Sequence, residues 1–352
     1  MMRSSLSFLV VGAGAIGSYV GGSLALGGQR VVFLDRPQAV AQIRAQGMRL
    51  RLPDGEYELT PILVESVEEA LGQGPFDAGI FSVKSYHTES AIAPLIPFAS
   101  QIPPLVCLQN GVDNEPVLEK ALGMDKVIHG TVTTAIGRPA PGMVAVERLR
   151  GLGLAVVPGS TNHDLVLRIK SAMDKAGLRA TLYPNPSDMK WSKLMTNLTG
   201  NATSAILDMS PGEVFAHPGL VQVEIVQQRE TLKVMRALGV RVISLPRTPV
   251  QLFAFAVRFL PIRLSQPLLV RAIGRGRGGK MPSLHIDLHG GSQQSEVVVL
   301  NGAVATHGAR TGVPTPVNQV LNDTLLELVQ GKLPKEAFAH QPEKLLARIS
   351  HA

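Results

Sequence analysis

Lys193, Asn197 and Asn201 stand four residues apart within KWSKLMTNLTGN. On a continuous helix, expected over Ser187 to Ala205, that spacing stacks them along one face. An ammonium and two carboxamides are costly to bury without partners, so such a face is either solvated or a site. Trp191, Leu194 and Leu198 cover other directions, and asparagine is a mediocre helix former; both facts favour a site. A positioned ammonium can donate a proton and stabilise negative charge on a nearby oxygen.

A second constellation lies near the start. Gly12-Ala13-Gly14-Ala15-Ile16-Gly17 fits G-x-G-x-x-G. Gly12 allows the tight turn, Gly14 lets the backbone approach a pyrophosphate, and Gly17 allows close packing of helix on strand. The amides and positive dipole end of the helix then face the phosphates. The ribose should meet the end of the next strand, Leu34-Asp35-Arg36. An acid there binds the 2′-hydroxyl of NAD, and an arginine accommodates the 2′-phosphate of NADP. Both are present, and the residues alone leave the choice open.

The elements that must position these groups follow from apolar patterning. Leu6 to Val11 reads as a buried strand, Ser18 to Gly27 as a short helix and Arg30 to Leu34 as a second strand. This is the size and context of a βαβ unit, which makes the glycine motif specific. Ala78 to Val83 and Pro104 to Leu108 repeat the apolar strand pattern with helix-compatible stretches between them, so a parallel sheet covered on both faces is expected. After Tyr183 the texture changes. Pro184-Asn185-Pro186 resembles a linker, and long helix-compatible segments follow at Gly219 to Leu238 and Gln294 to His307. The fold expected is an α/β Rossmann-type dinucleotide-binding domain over 1–184, then a mostly α-helical domain over 185–352.

Composition narrows the function class. The 352 residues are 45% hydrophobic and carry 34 basic and 27 acidic side chains, a net charge of +7. Residues 245–280 hold seven of the basic residues and no acid, which leaves 27 of each sign elsewhere. A field so localised does not describe a nucleic-acid binder. Arg258, Arg263 and Arg271 interrupt the apolar stretch Pro249 to Ile273, which excludes a spanning helix there. The apolar start passes into glycines without a small-x-small cleavage pattern and reads as a strand rather than a signal peptide. A single cysteine, Cys107, excludes an intramolecular disulfide framework and reads as a small core residue.

With these motifs in place, the chain resembles the ketopantoate reductase (2-dehydropantoate 2-reductase) family over about residues 6–240 and 281–335. The resemblance rests on GAGAIG at 12–17, Arg36, Ser82-Val83-Lys84, Gln109-Asn110-Gly111 and the Lys193/Asn197/Asn201 series. It continues through Pro282-Ser283-Leu284, Asp287-Leu288, Glu296 with Asn301-Gly302, and Gly312-Val313-Pro314-Thr315-Pro316. It implies NADPH-dependent reduction of 2-dehydropantoate to pantoate, on the route to pantothenate and coenzyme A, with NAD the lesser alternative. Lys193 would be the general acid, and Glu296 would orient it or bind the substrate hydroxyl. Asn197, Asn201 and Ser283 would hold hydroxyl and carboxylate. Lys84 and Asn110 would line the nicotinamide end, Asn110 also near the substrate. A small 2-oxo acid partner, a cytoplasmic location and a chain compatible with a homodimer are implied, with no metal.

Two departures stand out. Asp287 and Glu296 are one residue further apart than is usual for the family, so Glu296 needs a local bulge to keep its direction. The segment 245–280 is longer than usual and precedes Ser283; a lid or interface hairpin is favoured over an amphipathic membrane contact. These keep open a different branched or bulky 2-oxo acid, or a catalytically silent nucleotide-binding protein associated with membrane or a partner through 249–273. Two decoys are set aside. GRGRGGK at 274–280 lacks the Ser or Thr of a P-loop, since Met281 follows. His285 and His289 have metal-ligand spacing, but no third partner is visible nearby in sequence, so a helix surface is expected.

Overall fold

The computed structural model describes residues 5–260 and 280–351. Two compact units divide the chain, Met1–Lys190 with Leu245–Thr248, and Trp191–Ser244 with Pro249–Ala352. The GRGRGG part of the basic loop, and Arg263, Arg271, Arg275 and Arg277 with it, lie outside the described residues.

In the first unit, β1 (Ser7–Val11) leads through the glycine turn into a helix over Ala15–Leu26 and then β2 (Arg30–Leu34). The helix therefore begins three residues before Ser18. β3 (Met48–Leu52), β4 (Gly55–Leu59) and β5 (Ile62–Val64) follow, then β6 (Ala78–Phe81), β7 (Leu105–Cys107) and β8 (Val127–Val132). β9 (Ala135–Gly137), β10 (Met143–Arg148), β11 (Leu152–Ala155) and β12 (Ala180–Leu182) complete the set. The main sheet has the order β12-β11-β8-β7-β6-β1-β2-β5, parallel except where β11 meets β8.

β1 reads as unbroken apolar sequence because both its faces are covered. Phe8 and Val10 enter one core with Tyr19, Val20, Leu24 and Ile80. Leu9 and Val11 enter the other with Phe81, Ile92, Leu95 and Leu105. Each such side chain stabilises the fold by roughly 1.5–3 kcal/mol relative to exposure. The chain runs from β1 toward β2 and β5 on one side, and from β6 toward β7 and β8 on the other. The sheet order therefore reverses between β1 and β6, and α/β proteins bind ligands beyond the strand ends at such a point. A second sheet, β4-β3-β10-β9, was not anticipated from sequence. The chain returns to this unit at Leu245–Thr248, where Leu245 and Thr248 exchange main-chain hydrogen bonds of 3.0 and 2.9 Å. Thr133 Oγ1 donates to Pro246 O at 3.3 Å in the same place.

The second unit is built of helices and loops, with no strand among its described residues. Its longest helix, Pro218–Ala237, buries polar side chains among apolar ones. Asn318 Nδ2 donates to Glu230 Oε2 at 2.7 Å, and the amides of Val317 and Asn318 donate to the same carboxylate at 3.0 Å each. Glu230 thus satisfies the start of the helix Pro316–Val329, whose first amides have no intrahelical acceptor. Asn301 Nδ2 reaches both Gln227 Oε1 and Asn318 Oδ1 at 3.0 Å, closing the network.

The helix Val250–Phe259 lies at the start of the apolar stretch 249–273, of which 261–273 fall outside the described residues. Arg229 Nε donates to Val257 O at 2.8 Å, while Leu252, Phe255 and Phe259 face outward. No helix among the described residues is long and apolar enough to cross a membrane.

Candidate active site

The carboxyl ends of β1, β2, β6 and β7 bring the first group of predicted residues together. Gly12 leaves β1 with φ +94° and donates its amide to Leu34 O at 2.9 Å. A Cβ there would stand 2.8 Å from Val83 Cγ1, and one on Gly17 would stand 1.9 Å from Gly12 O. A Cβ on Gly14 would meet nothing within 4 Å. Gly12 and Gly17 therefore build the turn, and Gly14 leaves open space beside it. Gly14 caps the helix without a side-chain hydrogen bond, and the first turn, Ala15 and Ile16 included, carries no acid. A helix start with no acid in its own first turn suits a dinucleotide's phosphates. Ser82 Oγ donates to Gly12 O at 2.8 Å and pins the turn to the end of β6.

At the end of β2, Asp35 turns inward. Its Oδ2 accepts the amide of Ala13 at 2.7 Å and its Oδ1 accepts the amide of Arg36 at 2.8 Å. Arg36 opens the helix Pro37–Gln46, and its side chain is exposed. Burial, then the Arg36 charge, hold the imidazole of His87 below its usual range against the opposing pull of Asp35.

Beyond β6, Lys84 begins the short turn Ser85–His87. Beyond β7, Asn110 O accepts Asn114 Nδ2 at 2.6 Å, and Gly111 takes φ +94°. Gln109 Nε2 donates to Val83 O and to Thr88 Oγ1, both at 2.9 Å, so it ties these two strand ends together. Lys190 was missed by sequence reasoning, which stopped at its neighbour Lys193. Its Nζ donates to Gln109 O at 2.8 Å and to Gly130 O at 3.3 Å, and lies 2.6 Å from Glu115 Oε1. Both side chains of this pair are almost wholly buried. Desolvation first, and Glu115 next, push the Cys107 thiol well above its usual range, in keeping with a core residue.

In the second unit the expected single helix is two. Pro186–Leu198 ends before Gly200, which takes φ 62°, and Asn201–Leu207 begins after it. Lys193 and Asn197 share the first helix one turn apart, both half-buried; Asn201 opens the second. The three therefore do not form one continuous stripe. Left-handed backbone at Gly200 ends the helical register. Glu224 holds the break, its Oε2 accepting Gly200 N at 2.8 Å and its Oε1 accepting Thr203 Oγ1 at 2.6 Å. Gln228, one turn on, donates to Met195 O at 2.9 Å.

The break aims Asn201 at Ser283. Asn201 Oδ1 accepts the amide of Leu284 at 3.2 Å, and its Nδ2 lies 3.5 Å from Ser283 Oγ. Two expected substrate groups, 82 residues apart, are thus neighbours. Glu296 is buried, 3% exposed, and opens a 3-10 turn over Glu296–Val299. The helix expected over Gln294 to His307 starts only at Asn301, after Leu300 departs from helical geometry. Between Asp287 and Glu296 the chain leaves the helix Ser283–His289, and no bulged helix carries Glu296.

Comparison with known proteins decides the family. Models of the ketopantoate reductase PanE/ApbA family match residues 8–158, and of its C-terminal part residues 185–330. The chain belongs to the ketopantoate reductase family. The 2-dehydropantoate 2-reductase of Halobacterium salinarum is 28% identical over 333 residues, covering 92% of this chain and 98% of that protein. A Streptococcus pyogenes 2-dehydropantoate 2-reductase is 26% identical over 328 residues, covering 92% and 96%. The PanE/ApbA ketopantoate reductase structure from Ralstonia eutropha superimposes with TM-score 0.74 at 28% identity, covering 92% and 99%. The ternary structure of D-mandelate dehydrogenase with NADH and anilino(oxo)acetate shares the fold, with TM-score 0.76 at 21% identity over 92% and 98%. Ketopantoate reductases are oxidoreductases acting on CH–OH groups with a nicotinamide dinucleotide.

Proposed function

We propose that this chain reduces 2-dehydropantoate to pantoate with NADPH. Residues 1–184 would hold the dinucleotide, and 185–352 would carry the groups that act on the substrate. The reduced nicotinamide supplies the hydride for the carbonyl carbon. Gly12 to Gly17 would hold the pyrophosphate, and Lys84 and Asn110 the nicotinamide end. Lys193 would deliver a proton from its ammonium to the carbonyl oxygen and stabilise the charge forming there. Asn197, Asn201 and Ser283 would hold the substrate carboxylate and hydroxyl by hydrogen bonds, with Glu296 orienting Lys193 or accepting from that hydroxyl. The observation that carries the reading is the meeting of Asn201 with Ser283 and the amide of Leu284.

What supports NADPH over NADH is the engagement of both Asp35 oxygens by main-chain amides beside an exposed Arg36. A second reading keeps the reduction and changes the acid to another branched or bulky 2-oxo acid. The likeness in fold to D-mandelate dehydrogenase, whose structure holds NADH and anilino(oxo)acetate, favours keeping this reading open. Oxidation of NADPH and NADH is to be followed against a panel of 2-oxo acids. Preference for ketopantoate with NADPH supports the first reading. Faster turnover of another 2-oxo acid supports the second, and no oxidation with any of them overturns both.

A further inference from the structure

The two helices that bring Asn201 and Ser283 together hold a second cluster. Asn201–Leu207 ends at Asp208, whose backbone is left-handed (φ 49°, ψ 43°) and whose amide donates to Ser204 O. His285 and His289 lie one turn apart on Ser283–His289 and stack, with ring centroids 4.1 Å apart and planes at 22°. His285 Nε2 is 2.6 Å from Asp208 Oδ1, and His289 Nε2 is 3.7 Å from the same oxygen. One ligand atom from each of the three residues lies within 4.8 Å of the others.

A fold-stabilising role needs only one of these imidazoles. His285 is within hydrogen-bonding distance of Asp208, whereas 3.7 Å is too long for the second. Two ligands on one tetrahedral zinc-sized ion, each about 2.0–2.1 Å from it, stand roughly 3.4 Å apart, a value between the 2.6 and 3.7 Å that separate Asp208 Oδ1 from the two imidazoles. Asp208 and His289 keep 40% and 32% of their side-chain surface exposed, which leaves an entry path.

We propose that Asp208, His285 and His289 bind one divalent transition-metal ion of the zinc class, with solvent completing its shell. Two imidazole nitrogens and one carboxylate oxygen select zinc, cobalt or nickel over magnesium or calcium, which favour all-oxygen shells. Binding needs lone pairs on both imidazoles, so the hydrogen His285 shares with Asp208 moves to Nδ1 or is released to solvent. Residues 1–4, 261–279 and 352 contain no His, Cys, Asp or Glu, so no side-chain ligand of these types is missing from the cluster.

The test uses the full chain freed of metal by chelation, with Zn2+ alone titrated calorimetrically and Co2+ followed by visible absorption. One ion per chain and tetrahedral cobalt bands are expected, with Mg2+ failing to compete. His289→Ala and Asp208→Asn, the latter tolerating left-handed backbone, are each expected to weaken Zn2+ binding about 100-fold. His163→Ala, an exposed histidine in the other unit, should leave it unchanged. Thermal melts of the metal-free variants establish that they fold. Absence of binding at millimolar Zn2+, or equal affinity in folded His289→Ala, overturns the site. The readout involves no turnover, so failure of the site and failure of the proposed reduction are separable.

Discussion

Asp35 Oδ2 accepts the main-chain amide of Ala13 at 2.7 Å, so the acid at the end of β2 holds the glycine turn in place. In the proposed reading, Arg36 is then the charged side chain at the ribose end. Arg36→Ala is expected to raise KM for NADPH about tenfold or more and to leave that for NADH nearly unchanged, because only the 2′-phosphate offers a charge-assisted contact. Steady-state kinetics with both cofactors measure this; equal effects on the two would remove Arg36 from 2′-phosphate recognition.

The glycine turn makes a paired prediction. Gly17→Ala puts a methyl 1.9 Å from Gly12 O and should prevent folding or lower the melting temperature sharply. Gly14→Ala meets no protein atom within 4 Å and should fold normally. Its methyl enters the space assigned to pyrophosphate, so dinucleotide affinity should fall, as read by fluorescence titration. Undiminished affinity in Gly14→Ala would move the phosphates elsewhere.

Lys193→Ala should reduce kcat by about two to four orders of magnitude while the dinucleotide Kd stays within a small factor of wild type. Turnover near normal would refute its role as proton donor. A loss confined to dinucleotide binding would refute it equally.

The buried pair Lys190–Glu115 is a test of stability rather than chemistry. Lys190→Met leaves Glu115 buried without its counter-charge and should cost about 3–5 kcal/mol in urea unfolding. The double variant Lys190→Met with Glu115→Leu should recover most of that loss, since replacing both partners removes the stranded charge. If the double variant is no better than the single one, the cost arises from the acceptors Gln109 O and Gly130 O instead.

Much of the first unit was legible because its signals are local. β1, the glycine turn and β2 lie within thirty residues, and strands buried on both faces leave runs of apolar sequence that need no partner to be recognised. The small sheet containing β3 and β4 was not foreseen, because its alternating MRLRL pairs across the chain with β10. In the second unit, apolar periodicity passes through Thr199-Gly200 with little interruption. What ends the helix there is Glu224, a buried acid 24 residues away that accepts the Gly200 amide. The partner that completes the histidine pair, Asp208, is 77 residues upstream of His285 and was invisible for the same reason. Spacing reveals faces of single elements; it carries no information about which acid arrives from another helix.

The return of Leu245–Thr248 to the first unit has a consequence for modularity. The chain passes between its two units three times, after Lys190, after Ser244 and after Thr248. Neither unit is therefore one uninterrupted stretch that a single recombination point could exchange with a relative. A fragment ending near 190 would lack the tetrapeptide that Thr133 grips through Pro246, and an exchange of the first unit would need three junctions to conserve it.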